Sequence, residues 1–301
     1  MQPTMLLLPA RNAGPLASVD LGVSDVSTGF HSGELAVQRR AGVQTQAARL
    51  STMVARGELR AGVATFLAEA TFAAITARDR TGRLWTSPLV GPPGFLVAAS
   101  PTTLLIGSTP EPGDPLHQLT GGQRVGVIVM DFAARRRLRI NGTLTTAGDG
   151  GLVVDVVQAY GNCPQYIQPR HLGREERTDD GPRLIRRGTA LQPEDVDQVQ
   201  TADTFFLGTT HPEFGNDASH RGGPAGFAHA DADTVWWPDF PGNNMFNSLG
   251  NIAVDPATAL LFIDFDSGRT LQLSGAAALQ WAGSDDRSVH LAVEELVIAH
   301  L

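Results

Sequence analysis

The chain has 301 residues, 42% of them hydrophobic, a net charge of -8 and one cysteine, Cys163. That length allows one large domain or two of ordinary size, excludes disorder throughout, and the acidic balance argues against a nucleic-acid surface. One cysteine excludes an internal disulfide framework, and all 23 Lys and Arg positions are Arg, so lysine-based catalysis and a P-loop lysine are excluded as well.

Residues 1–32 show no period and hold the breaker Asn12-Ala13-Gly14-Pro15, so an irregular arm is expected. No run has the length of a membrane span or a signal-peptide core, and a cytoplasmic protein is expected. From Gly33 the spacing of Leu35, Val37, Val43, Ala47, Leu50, Met53 and Val54 predicts helix, and a second helix is expected over Glu58–Glu69. Short β-like runs follow at Thr71–Thr76, Gly94–Ala98, Leu104–Ile106, Val125–Phe132, Leu138–Ile140 and Leu152–Val157. Residues 171–192 are charged and read as a linker. A short helix is expected over Pro193–Ala202. β-like runs then return at Phe205–Thr209, Phe227–Ala230, Val235–Trp237, Leu260–Phe265, Thr270–Leu273 and Leu291–Ile298.

This return is an internal repeat. Thr71–Thr76 matches Thr204–Thr209, and Gly91-Pro92-Pro93-Gly94-Phe95 matches Gly223-Pro224-Ala225-Gly226-Phe227. Val129-Met130-Asp131-Phe132 matches Phe262-Ile263-Asp264-Phe265, and Leu138–Gly142 matches Leu271–Gly275. Phe72 to Asp131 and Phe205 to Asp264 are both 59 residues, so three landmarks share an offset of 133 and the Gly-Pro pair sits at 132. The expected class is mainly β (α+β), a tandem duplication: a first helix-plus-barrel copy over 33–170 and a second copy over 193–301. A pseudo-two-fold axis between the copies is expected.

The order of landmarks resembles the pyridoxamine 5′-phosphate oxidase-like family of FMN-binding split barrels. The hairpin Ala74–Trp85 with its Asp79-Arg80-Thr81-Gly82 turn carries the resemblance. So do Gly226-Phe227, the Asp255-Pro256 turn into Ala257–Phe262, and the strands Arg136–Gly142 and Arg269–Gly275. A two-copy flavin-nucleotide-binding subgroup is the nearer resemblance, through Phe30–Arg39, Gln158–Gln168, Ser219–Gly223 and Gly242–Asn251. Where the family places Thr-Asn-Tyr-x-Ser-x-Lys, this chain has Pro238-Asp239-Phe240-Pro241-Gly242-Asn243-Asn244, and no match to a substrate-phosphate pocket is found near the C-terminus.

The resemblance implies FMN as cofactor, a small-molecule substrate and an oxidoreductase activity. It leaves open a non-catalytic flavin- or tetrapyrrole-binding protein, and a duplicated barrel without cofactor. The cofactor-binding residues it implies are Ser219, His220, Arg221, Gly222, Asn243, Asn244, Ser248, Asn251 and Arg136. Arg221 supplies a fork for a phosphate, and the amides can meet a flavin edge. Arg137 and Arg139 share one face of a strand while Arg136 points to the other. One flavin per chain is expected, with its phosphate on the second copy. No catalytic side chain is singled out, and the eight His show no metal spacing. Cys163 reads as inert packing. Partners beyond flavin and substrate are not implied: no nucleic acid and no membrane, with a homodimer left open.

Overall fold

The computed structural model describes residues 29–54, 57–148, 150–161, 163–170, 183–284 and 286–301. The arm expected over 1–32 therefore lies outside the described residues as far as 28, as do residues 171–182 of the expected linker.

Four helices come first: α1 (Ser32–Arg40), α2 (Gln44–Ala48), α3 (Ser51–Val54) and α4 (Ala61–Glu69). The first sheet follows with β1 (Phe72–Arg78), β2 (Leu84–Val90), β3 (Leu96–Ser100), β4 (Thr103–Ile106), β5 (Gln123–Asp131), β6 (Arg136–Gly148) and β7 (Gly151–Gly161). Then come β8 (Arg183–Gly188), which lies within the expected linker and pairs with the last strand, and α5 (Pro193–Thr201). The second sheet has β9 (Thr204–His211), β10 (Gly215–Gly222), β11 (His229–Ala230), β12 (Thr234–Pro238), β13 (Ala257–Ile263), β14 (Arg269–Trp281) and β15 (Arg287–His300). Helix α6 (Asn247–Val254) separates β12 from β13.

The strand orders are β2-β1-β5-β6-β7-β4-β3 and β10-β9-β13-β14-β15-β12-β11, the same order in both copies and antiparallel throughout. Both long hairpins carry a bulge at the same place, Asn141/Gly142 and Ser274/Gly275, 133 residues apart. A glycine is required there. A Cβ on Gly142 would lie 2.2 Å from the Asp155 carbonyl oxygen, and one on Gly275 would lie 1.9 Å from that of Ala292. The tandem duplication is thus written in topology and in bulge position.

One landmark pairing needs correction. Ala73, Ile75 and Ala77 face the first barrel core while Phe72 and Ala74 face the layer between copies. In the second copy Phe205 and Leu207 face the barrel core and Phe206 faces the layer. Phe205 therefore corresponds to Ala73, not Phe72, and the offset over β1 and β9 is 132. A slip of one residue exchanges the two faces of a strand. The Gly-Pro pair at 132 is in step with its own strand.

Each barrel has its own apolar core, and a third cluster joins them: Phe72, Ile128, Met130, Phe132, Phe206, Ala218, Leu261 and Ile263. The contacts are reciprocal, β2 with β13 and β14 against β10 with β5 and β6. Phe132 and its counterpart Phe265 meet edge to face with ring centroids 5.2 Å apart. An isologous contact of this kind is what a two-fold dimer makes, here built within one chain. Among the described residues no helix is long and apolar enough to cross a membrane.

Candidate functional site

Helix α1 starts inside the first-copy sequence yet packs on α6 of the second copy. The helices touch through two glycines: a Cβ on Gly33 would lie 2.1 Å from the Gly250 carbonyl oxygen. His31 caps α1, its Nδ1 accepting from Gly33 N (3.2 Å) and Glu34 N (3.4 Å). The proton is therefore on Nε2, which donates to Asn251 Oδ1 at 3.0 Å. Asn251 in turn donates to Thr209 Oγ1. Burial, with His211 alongside, lowers the His31 pKa to about 3, so the ring is neutral.

Glu34 completes the capping box by accepting from His31 N at 2.8 Å, and its other oxygen accepts from Asn247 Nδ2 at 2.7 Å. Burial raises its pKa to about 7 against the pull of those two donors. Asn247 Oδ1 accepts from Tyr160 OH (2.5 Å) and from Arg139 Nη1 (2.9 Å). Arg139 reaches across from β6 of the first copy to Asp217 on β10, with oxygens at 3.0 and 3.2 Å. Asp217 also accepts from Asn141 (3.3 Å) and Ser248 Oγ (3.1 Å). The Ser248 proton is then committed, and Ser219 Oγ donates to Ser248 Oγ at 3.2 Å.

Ser219, Ser248 and Asn251 thus belong to one buried network between the copies. Sequence reading missed His31, Glu34, Asn141, Tyr160, Asp217 and Asn247 as members. The two-residue step from Asp217 to Ser219 was the available signal, since both must face the same side of β10.

The other expected residues lie around this network. His220 points to the opposite face of β10, where Arg137 Nη1 meets its Nδ1 at 2.8 Å. Burial, and then Arg137, Arg170, Arg221 and Arg139, hold the His220 pKa well below its ordinary value. Burial first, with Arg139 and Arg221, brings Arg137 down to about 10. Arg221 is held by Asp239 at 3.0 Å, and Asp239 also takes Arg287 at 2.7 Å. Five polar atoms of this cation cluster are buried without a partner: the Nε atoms of Arg137, Arg139, Arg170 and Arg221, and His220 Nε2. Gly222 passes close to Tyr166, whose carbonyl oxygen would lie 2.1 Å from a Cβ there. Asn243 Oδ1 accepts from Met245 N at 3.2 Å, and Asn244 is left-handed at φ 62°. Arg136 stands apart, its guanidinium 4.7 Å over the Phe66 ring on the other face of β6. Cys163 is exposed rather than packed.

The pseudo-symmetric position shows a different outcome. There Gln272, counterpart of Arg139, donates to Ser87 Oγ (2.9 Å) and Asp114 (3.0 Å). Ser87 Oγ also donates to Asp114 at 2.6 Å. The first-copy strand β2 contributes no arginine, so among the described residues the cation cluster occurs on one side of the molecule.

A cavity of about 20 Å³ lies among His31, Glu34, Asn141, Asp217, Asn247 and Asn251. That holds about one water and no aromatic ring. The residues present fit the phosphate end of a flavin nucleotide, through the unpartnered Arg and His nitrogens. They leave no ring-sized space inside the network.

Glu34 and His31 make opposite contributions to stability. A carboxyl raised on folding contributes stability that is lost as pH rises from its unfolded value through about 7, and a lowered His contributes the reverse up to its ordinary value near 6.5. Replacing Glu34 by Gln removes the first and keeps the second. Relative to the parent, Glu34→Gln is expected to gain roughly 3 kcal/mol between pH 4.5 and 7. Urea unfolding at several pH values measures this, and parallel profiles would refute it.

No family model and no curated protein matches the chain. Similar solved structures include HupZ of Group A Streptococcus, at 15% identity and TM-score 0.28, over 35% of this chain and 90% of that one. A putative pyridoxamine 5′-phosphate oxidase from Corynebacterium glutamicum aligns at 8% identity and TM-score 0.29, over 41% of this chain and 96% of that one. The heme storage protein HutZ from Vibrio cholerae aligns at 13% identity and TM-score 0.28, over 36% and 94%.

Proposed function

We propose that the chain binds a flavin nucleotide, FMN, at the junction of the two copies and serves as an oxidoreductase for a small-molecule substrate. The observation that carries this reading is the cation cluster with five unpartnered buried nitrogens, the Nε atoms of Arg137, Arg139, Arg170 and Arg221 and His220 Nε2. Arg137, Arg139, Arg170 and Arg221 surround His220. Asp217, Asp239 and Asp203 answer them, and an anion completes the balance. Arg221 and Arg137 would hold the phosphate, with Ser219 and Ser248 behind them and Asn243 and Asn244 on the loop ahead of α6. A bound flavin supplies hydride or electron-pair acceptance. The chain supplies position: Asp217 fixes Arg139, Asp239 fixes Arg221, and α1 shuts the inner side against water.

Arg221→Ala removes a charged donor and is expected to weaken FMN binding about ten- to a hundredfold. Fluorescence titration with FMN measures it, and unchanged affinity would move the phosphate elsewhere. Reduction of the bound flavin by NADH or NADPH separates an oxidoreductase from a flavin carrier. A second reading, a duplicated barrel that holds no cofactor, is favoured by one observation: Asp239 already pairs with Arg221 and Arg287. Colourless protein that takes up no FMN would establish it.

A further inference from the structure

A cavity of about 790 Å³ lies beside the cation cluster and shares Arg137 with it, but opens on the other face of β6. It is an open cleft between α4 and the start of β6, lined by Arg60, Val63, Phe66, Leu138 and the run Arg135, Arg136, Arg137. No acidic side chain lines it, and among the described residues Arg60, Arg135 and Arg136 form no ion pair. Asp131, the register partner of Arg136, uses Oδ1 to accept from Ala134 N at 2.8 Å.

The second copy shows what belongs in this place. Offsets of 132 for the helices and 133 for β6 and β14 match Val63 with Asp195, Phe66 with Gln198 and Arg136 with Arg269. There Asp195 is fully buried and takes both Arg269 and Arg186, while Gln198 takes the other Arg269 nitrogen. Asp195 also accepts from Gln192 N at 2.8 Å and so caps α5. In the first copy the acid is Val63, and α4 has no side-chain cap. An arginine and a helix N-terminus that share one carboxylate in the second copy both lack it in the first.

A second difference points the same way. The turn before β14 uses Gly268 at φ 74°, where a left-handed backbone suits glycine. Its counterpart in the first copy is Arg135, held at φ 53°. A side chain is kept there against its conformational preference, and that side chain is a cation beside the cleft.

We propose that this cleft is a second binding site, for an organic anion: a carboxylate or phosphate carried on an apolar body. The anionic group takes the place that Asp195 fills in the second copy, between Arg136 and the start of α4, with Arg60 and Arg135 beside it. The apolar body lies on Val63, Phe66 and Leu138. The cleft borders the proposed flavin site at Arg137, but its anion is placed on Arg136, Arg60 and Arg135, which that reading does not use.

Calorimetric titration of the full chain with phenyl phosphate, benzoate and inorganic phosphate at low ionic strength tests it. Saturable binding is expected for phenyl phosphate or benzoate, tighter than for inorganic phosphate. Arg136→Ala should weaken it at least tenfold. Val63→Asp supplies the missing carboxylate from within and should abolish it, and Arg221→Ala should leave it unchanged. If Val63→Asp does not fold, Arg136→Ala decides alone. Absence of saturable binding overturns the proposal. So does binding that survives Arg136→Ala, or binding lost with Arg221→Ala. FMN titration of the same variants reports separately on the other site.

Discussion

Arg139→Ala is expected to lower stability by about 3–5 kcal/mol, because it strands a buried carboxylate. Asp217 has 3% of its side chain exposed and Arg139 has 12%. The cation also supplies one of the two donors on Asn247 Oδ1, so its loss loosens the tie to Glu34 and Tyr160. Asn141 and Ser248 remain on Asp217, but neither carries charge. Arg139→Met with Asp217→Leu removes both partners and should recover most of the loss, since a buried pair replaced by apolar groups is often neutral. Urea unfolding of the three proteins measures this. A loss under about 1 kcal/mol in Arg139→Ala, the value of an exposed pair, would show that the network is solvated.

Gly33→Ala is expected to destabilise by at least about 2 kcal/mol although alanine is the better helix former. The new Cβ would sit 2.1 Å from the Gly250 carbonyl oxygen and 2.7 Å from a Val254 methyl. Backbone cannot yield as a side-chain tip can, so α1 must lift from α6. Lifting it stretches His31–Asn251 and Glu34–Asn247, which join the helices. Gly62→Ala gives the contrast: nothing lies within 4 Å of its Cβ, and α4 should be unchanged or gain up to about 1 kcal/mol. Thermal unfolding compares the two, and equal behaviour would mean that the helices do not touch.

Most of the duplication could be read from spacing, because turns and bulges fix glycines at set distances: Gly142 and Gly275 are forced by the same bulge. The register of β1 could not. Thr71–Thr76 and Thr204–Thr209 are apolar on both faces, so the alternation that normally reveals a one-residue slip is missing. Helix α6 was hidden by composition. Its Asn and Gly residues favour turns, yet Leu249 and Ile252 bury one side, and packing decides. In the candidate site, Arg137 and Arg139 lie on one face and Arg136 on the other, as a period of two requires. The acids are not legible as phosphate-site residues, because a carboxylate repels a phosphate at close range. Glu34 and Asp217 hold the attracting groups in place, and only the assembled fold shows that α1 of one copy closes on α6 of the other.

One cation cluster, found among the described residues on one side of a pseudo-symmetric molecule, is proposed to take one flavin phosphate. Equilibrium dialysis of FMN against the full chain, with stoichiometry from flavin absorbance and protein concentration, tests it most directly. One FMN per chain is predicted, falling toward zero in Arg221→Ala at the same free FMN concentration. Two FMN per chain, or one that is retained undiminished in Arg221→Ala, would contradict it.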